Sequence, residues 1–321
     1  MNYDTLQKWA IPLLVVSCVL LAAVYLPHVG YVAGNARRWI GTRAIRFQPS
    51  ELAKVALILG LAAYCQRQKH RLPTLRWGIL VPGCILAPVL GLILLEPDRG
   101  TALLMLAVCA VMLFVGGASW KYCLSLLVPG AAVGAIYFAR DPLVILRLKA
   151  WWFLEESKMD KGYQAYQSML AFARGGVFGL GLGNGRQKLG FVPEHHTDMI
   201  LSIMGEELGL LGTLAVLLLF AAVVGCGLVI AHKARDPFGA LAATGITTLI
   251  GLQTLINIGV VTSALPCKGL PLPFISYGGS NLVMMLGCIG LLINFARQAQ
   301  GQESLTERAF DDLEMPEPQT P

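Results

Sequence analysis

A chain of 321 residues that is 55% hydrophobic and only 14% charged, with a mean hydropathy of +0.63, is not a soluble globular domain, which carries about 25% charge. The formal net charge of +6 is small and suits anionic lipid headgroups rather than nucleic acid. Composition alone therefore places the protein in a membrane.

In chain order, Trp9–Pro27 reads as the first span. Leu13–Leu26 is long enough to cross and no convincing small-residue cleavage site follows it, so a cleavable signal peptide is not expected. Tyr31–Gln48 is a polar loop, and Pro49–Cys65 is the next span with Glu51 and Lys54 in its first turn. These two lie three residues apart, a spacing that pairs them on one helix face, and a structural ion pair is the favoured role. Charge-free runs follow at Ile79–Leu95, Gly100–Ser119, Tyr122–Ala139, Leu208–Ala231, Pro237–Cys267 and Gly269–Ala296. Most reach the roughly 17–25 residues a transmembrane helix requires, giving about eight spans in all. The runs are rich in Leu, Val, Ala and Gly and lack the dyad repeat of a barrel, so the expected fold is all-α, a polytopic transmembrane bundle. Residues 1–300 form its single membrane domain. The acidic, proline-containing tail 301–321 is expected to be disordered and cytoplasmic.

Two short loops are basic: Gln66–Trp77 carries Arg67, Lys69, Arg71 and Arg76, and His232–Asp236 carries Lys233 and Arg235. Placing both in the cytoplasm puts Tyr31–Gln48, Glu96–Gly100, Arg140–Asp198 and Leu265–Ser280 outside. Arg37, Arg38, Arg43 and Arg46 then fall outside and need a reason of their own. The long connection 140–198 interleaves Trp151, Trp152, Phe153, Tyr163, Tyr166 and Phe172 with charges. Connections of such length are usually functional or disordered. Within it, Gln164–Arg174 has the spacing of a short amphipathic helix at the bilayer surface.

The polar stretch Gly185–Asp198, ending in a carboxylate at the mouth of a span, is the first place to look for chemistry. Asp198 suits two roles equally on these grounds, a helix N-cap or a catalytic group. Glu206, eight residues later on roughly the same helix face, and Glu207 are further candidates, or partners of another helix. The glycines at 175, 176, 179, 181, 183 and 185 do not give G-x-G-x-x-G and no strand precedes them, so they read as tight loop backbone. His195 and His196 are adjacent, which is poor metal-ligand geometry, and no H-E-x-x-H or second cluster accompanies them. A hard cation such as Mg²⁺ or Mn²⁺ bridging Asp198 and a substrate phosphate stays open. Lys268, alone on a proline-rich turn, and Arg37, Arg38 and Trp39 are either headgroup anchors or binding groups for an anionic substrate. As a set they suit a phosphate-bearing lipid better than a neutral solute. The eight cysteines form no C-x-x-C pair and read as buried apolar residues.

Several segments resemble the FtsW/RodA/SpoVE (SEDS) family. They are Asn35-Ala-Arg-Arg-Trp-Ile, Gln48-Pro-Ser-Glu-Leu-Ala-Lys54, Pro97-Asp98-x-Gly100-Thr101, Tyr166-Gln-Ser-Met-Leu-Ala, Gly181-Leu-Gly-Asn, Gln187-Lys-Leu and Pro193-Glu-His-His-Thr-Asp198. To these add Gly205-Glu-Glu-Leu-Gly209 and Lys268-Gly-Leu-Pro-Leu-Pro-Phe-Ile-Ser-Tyr-Gly-Gly-Ser280. The set runs in order from about Tyr31 to Arg297, and its details look closer to the FtsW division branch than to RodA. The resemblance implies a peptidoglycan glycosyltransferase that polymerises lipid II at the outer face of the bacterial cytoplasmic (inner) membrane. It implies an essential loop aspartate at Asp198, an important arginine at Arg38 and a lysine at Lys268. Trp39, Lys188 and His196 join these as candidate substrate-binding residues. It further implies support by a divalent cation, with Asp198 as base or metal ligand and no organic cofactor. The implied partners are a class B penicillin-binding transpeptidase and other divisome proteins. The chain departs from the family in two respects. Family members have about ten spans and this chain begins near their third, and the family's usual Gln before Pro-Asp-x-Gly-Thr is Glu96 here. The competing functions are a flippase for lipid-linked precursors and a catalytically inactive scaffold for the transpeptidase.

Overall fold

The computed structural model describes residues 3–26, 29–33, 36–41, 46–122, 140–193 and 196–311. The first helix, α1 (Tyr3–Ala23), leads into a feature the helical periodicity did not announce. The outside loop is a three-stranded antiparallel sheet of β1 (Gly30–Ala33), β2 (Ala36–Gly41) and β3 (Arg46–Phe47), in that order. Tyr31 faces Trp39 and Ile40 faces Phe47, and the register shifts between Tyr31 and Val32. The sheet amends the all-helical expectation locally. Density of arginine masks the short alternation, and strands of two to six residues give little periodic signal. The Arg46 guanidinium lies 4.6 Å from the Tyr31 ring centroid, so part of that basic density is used in cation–π packing within the sheet.

Helix α2 (Pro49–Arg67) follows, starting with proline where the missing N–H is not needed. It is buried without interruption from Ala53 to Ala63, enclosed by neighbouring helices. A helix whose side chains, Lys54 apart, are apolar all round over this stretch belongs in such a centre. A π-turn at Arg76–Leu80 runs directly into α3 (Val81–Leu95), and α4 (Arg99–Val115) returns. The span expected over Tyr122–Ala139 lies almost wholly outside the described residues. In the long connection come α5 (Pro142–Trp152) and α6 (Tyr163–Gly175), the latter at the position expected for an amphipathic helix. The bundle closes with α7 (Ile200–Lys233), α8 (Pro237–Val261) and α9 (Gly279–Asp311). The last continues through Asp311, into the segment expected to be disordered, while 312–321 lie outside the described residues.

Among the described residues, five helices are long and apolar enough to cross a membrane: Thr5–Ala23, Arg76–Leu95, Ile200–Lys233, Pro237–Val261 and Gly279–Gln300. Two other expected spans have specific reasons to fall outside that group. Arg99–Val115 is apolar but shorter, and α2 carries the Glu51–Lys54 pair and ends in Gln66 and Arg67, which lower its mean hydropathy.

The two ends of the bundle differ in content. At one end Gln66 Nε2 donates to Asp236 Oδ1 at 3.0 Å, and Tyr3 stacks on Phe295. The N-terminus and both basic loops therefore gather there. At the other end are the sheet, the α3–α4 turn, the start of α7 and the α8–α9 loop. Ser280 Oγ accepts from Gln48 N at 3.0 Å and donates to Arg46 O at 3.3 Å, fastening the sheet to the start of α9.

The glycine series explains how α7 enters the bundle. Gly209 has φ 69° and ψ −168°, which interrupts the helix. Backbone of the loop after α6 takes up the groups so released. Leu180 N and Gly181 N donate to the Glu206 and Glu207 carbonyls at 3.0 Å each, and Leu210 N and Leu211 N donate to the Gly176 and Val177 carbonyls at 2.9 and 3.2 Å. No helix broken at membrane depth can leave such groups unpaired. The contact is so close that a Cβ at Gly209 would stand 2.3 Å from Gly179 N. Gly209→Ala therefore combines a left-handed φ with a backbone clash. It is expected to destabilise the protein by about 2 kcal/mol or more, read as a lowered thermal midpoint in detergent, while an exposed control such as Leu218→Ala stays within about 0.5 kcal/mol.

Candidate functional site

Asp198 sits in the turn that delivers the chain to α7. The helix starts one residue later than a capping role for it would place it: the N-cap position is Met199, whose side chain makes no cap hydrogen bond. What distinguishes the turn is how its backbone is held. Tyr277 N donates to His196 O at 2.8 Å, Ser276 Oγ to Thr197 O at 2.5 Å, and Asn257 Nδ2 to Asp198 O at 2.8 Å. Three successive carbonyls are thus fixed by the α8–α9 loop and by α8. Asn257 is 1% exposed and its Nδ2 also donates to Leu270 O at 2.9 Å, so one amide joins the Asp198 turn to the Lys268 turn.

The two turns touch. A Cβ built on Gly269 would lie 2.7 Å from Asp198 Oδ2, so the carboxylate rests on the backbone of the residue next to Lys268. Lys268 is half-buried, and burial pushes its ammonium down from its ordinary pKa. A cation losing hydration in this way gains most from an anionic ligand. The Lys268 turn is anchored from below as well. Gln253 Nε2 donates to Pro271 O at 2.8 Å, and Gln253 Oε1 accepts from Lys54 Nζ at 3.3 Å. Lys54 pairs in turn with Glu51 at 2.8 Å, both side chains being about 5% exposed or less. The pair therefore stands under the site as a support linked to it by one glutamine.

Arg38 approaches from β2. Its Nε donates to Glu96 O and its Nη2 to Pro97 O, both at 2.8 Å. That turn opens α4, where Asp98 caps the helix by accepting from Thr101 N at 3.2 Å and from Thr101 Oγ1 at 2.9 Å. A Cβ on Gly100 would lie 3.4 Å from Leu270 Cγ, so the start of α4 reaches the Lys268 turn. Trp39 is half-buried opposite Tyr31. His196 is exposed, its ring 6.3 Å from that of Tyr277 in edge-to-face geometry. His195 and Arg43 lie outside the described residues.

Lys188 is engaged elsewhere. Its Nζ donates to Glu207 Oε1 at 2.7 Å and to Gly183 O at 2.8 Å. Glu207 also accepts from Gly183 N at 3.1 Å, and the fully buried Glu206 accepts from Arg186 N and Gln187 N at 3.2 and 3.0 Å. These charges hold the Gly176–Leu189 loop against α7, and the structure does not bring Lys188 into the contacts that join Asp198, Lys268 and Arg38. Among the described residues no three His, Cys, Asp or Glu side chains cluster as metal ligands. Asp198 offers a cation one carboxylate, which fits a hard ion completed by substrate phosphate and water.

Asn257, Gln253 and Ser276 did not stand out in the sequence because none is charged. The signal available was two amides, four residues apart, in the uncharged run 237–267. Their role makes the ion pair beneath them testable. Lys54→Met leaves the buried Glu51 without its cation and is expected to cost about 3–5 kcal/mol in unfolding free energy. Glu51→Gln combined with Lys54→Met is expected to recover most of that loss in the same denaturation measurement.

Residues 1–301 match the family model for FtsW, RodA and SpoVE, described as cell cycle proteins. The chain is 40% identical over 306 residues to a probable peptidoglycan glycosyltransferase FtsW of Geobacter metallireducens, covering 94% of this chain and 80% of that one. It is 38% identical over 301 residues to the stage V sporulation protein E of Bacillus subtilis, covering 93% and 82%. Among solved structures it is similar to a chain of a peptidoglycan synthase complex that coordinates polymerisation and crosslinking. That likeness has a TM-score of 0.77 at 29% identity, over 93% of this chain and 84% of the other. It is also similar to the rod shape determining protein RodA of Thermus thermophilus, with a TM-score of 0.67 at 29% identity, over 93% and 81%. With the family model matched along nearly its whole length and relatives 40% identical over most of it, the chain belongs to the FtsW/RodA/SpoVE family.

Proposed function

We propose that the protein is a peptidoglycan glycosyltransferase that polymerises lipid II at the outer face of the bacterial cytoplasmic membrane. The observation that carries this is the seating of the Asp198 carboxylate on the Lys268–Gly269 turn, at the end of the bundle opposite the basic loops. Basic loops face the cytoplasm, so the site faces out. The names of the relatives point the same way, and the likeness to a synthase-complex chain supports a class B penicillin-binding transpeptidase as partner.

Extension of a glycan from a lipid pyrophosphate forms one bond, from an acceptor hydroxyl oxygen to the donor's anomeric carbon, and breaks the bond from that carbon to pyrophosphate. The hydroxyl proton must leave, and the departing diphosphate carries growing negative charge. Asp198 is the candidate acceptor for the proton. Its backbone is fixed at three carbonyls, so the carboxylate is presented without reorganisation. Lys268 and Arg38 are the cations for the diphosphate, and Arg38 has N–H groups to spare beyond the two that hold the Glu96–Pro97 turn. When bound, a divalent ion held by Asp198 would add further charge neutralisation at that diphosphate. Trp39 and His196 border the approach. Supply of substrate is lateral, because lipid II diffuses within the leaflet whose edge the site occupies.

Purified protein with labelled lipid II tests the proposal. Wild type is expected to make glycan chains, and correctly inserted Asp198→Asn to lose activity by about 10²–10⁴-fold, the range for a proton-transfer group. Gly269→Ala is expected to displace the Asp198 carboxylate and lower the rate by tenfold or more, with the thermal midpoint nearly unchanged. Full activity of Asp198→Asn would overturn the role given to the carboxylate. Lipid movement across liposomes without polymerisation would favour a flippase, and neither activity a scaffold.

A further inference from the structure

Glu96 stands apart from every other acid in the described chain. It is 1% exposed, and neither carboxyl oxygen has a hydrogen-bond donor. Buried carboxylates are normally paired or hydrogen-bonded, because an unpaired charge is costly out of water. Yet its own backbone carbonyl is one of the two that Arg38 grips. The guanidinium thus has a choice between neutral carbonyls and, once the proton leaves, a carboxylate on the same residue.

Among the described residues, the ionisable groups that face Glu96 are few. Arg38 comes from β2, Asp98 from the α4 cap and Tyr25 from the end of α1. Arg99, the next charge along, is paired with Asp141. Burial raises the Glu96 pKa to about 8, Asp98 adds to the rise and Arg38 opposes it. At neutral pH the group is then mostly the uncharged acid.

We propose that Glu96 is a positioning residue for Arg38, acting through its protonation. As the acid it leaves the guanidinium on the Glu96 and Pro97 carbonyls with its remaining N–H groups turned to an anionic lipid. As the carboxylate it competes for the guanidinium through a charge-assisted bond, about twice as strong as a neutral one, and withdraws it from the site. The step is a single proton exchanged with solvent, with no other bond made or broken. It presupposes the site proposed above, in which Arg38 faces a lipid pyrophosphate.

The test compares the full-length protein with Glu96→Gln, which keeps the shape but cannot ionise. Affinity for farnesyl pyrophosphate is measured at pH 6.5 and pH 9, and each protein's ratio is compared with the other's so that titration of the ligand cancels. A pKa of about 8 leaves roughly a tenth of Glu96 protonated at pH 9. Wild type is expected to lose about tenfold more affinity than Glu96→Gln over this interval, and its lipid II polymerisation rate to fall in parallel. Thermal midpoints across the same range provide an independent readout of the titration. The folded state holds the Glu96 proton more tightly than the unfolded chain, so wild-type stability falls between about pH 4.5 and pH 8. Glu96→Gln is expected to lack that fall. Equal affinity ratios for the two proteins overturn the inference, even where the midpoints show that Glu96 titrates. Binding that follows Glu96 without polymerisation at any pH would overturn the proposed reaction and leave the positioning role standing.

Discussion

Backbone hydrogen bonding under the rule of a lipid environment is the constraint on which the rest of this structure depends. Hydrocarbon offers no partner for a free N–H or C=O, so any departure from helix near the bilayer must be answered by another segment. Gly209 departs, and the loop after α6 answers it with two donors and two acceptors. The same demand recurs at the site, where the carbonyls of His196, Thr197 and Asp198 receive donors from Tyr277, Ser276 and Asn257. Structure and chemistry meet there, because satisfying the backbone is also what immobilises the carboxylate.

Charge in this protein divides into two kinds. Glu206, Glu207 and Lys188 spend their charge on backbone and on one another, and so hold a loop in place. Glu51 and Lys54 likewise neutralise each other, yet reach the Lys268 turn through Gln253. Arg38 and Lys268 are different: one is held through neutral carbonyls and the other is half-buried with its basicity lowered by burial. Cations arranged in this way keep capacity for an incoming anion, which an ion pair would consume.

Much of the scaffold was legible in the sequence. Runs of uncharged residues long enough to cross a bilayer locate the helices, and basic loops assign the ends, since both signals follow from large desolvation costs. Asp198, Lys268 and Arg38 were visible as charges at the edges of apolar runs. Less visible were features whose energetics depend on contact rather than composition. The sheet at 30–47 consists of strands too short for a periodic signal. The neutral amides Gln253 and Asn257 became notable only once two turns distant in sequence were seen to converge on them. Lys188 shows the converse, because an exposed-looking lysine in a glycine-rich loop reads as available until Glu207 is found beside it.

The enclosure of α2 has a consequence for the bilayer itself. Helices that face lipid adjust to local membrane thickness by tilting or by thinning the surrounding leaflet. A helix wrapped in protein along its length has no hydrocarbon to match, and it is α2 that supports the Lys268 turn through Lys54 and Gln253. The distance from the buried ion pair to the Asp198 carboxylate is therefore set inside the protein. Membranes of differing composition change how the bundle floats, while the internal ruler from Lys54 to the Lys268 turn keeps its length.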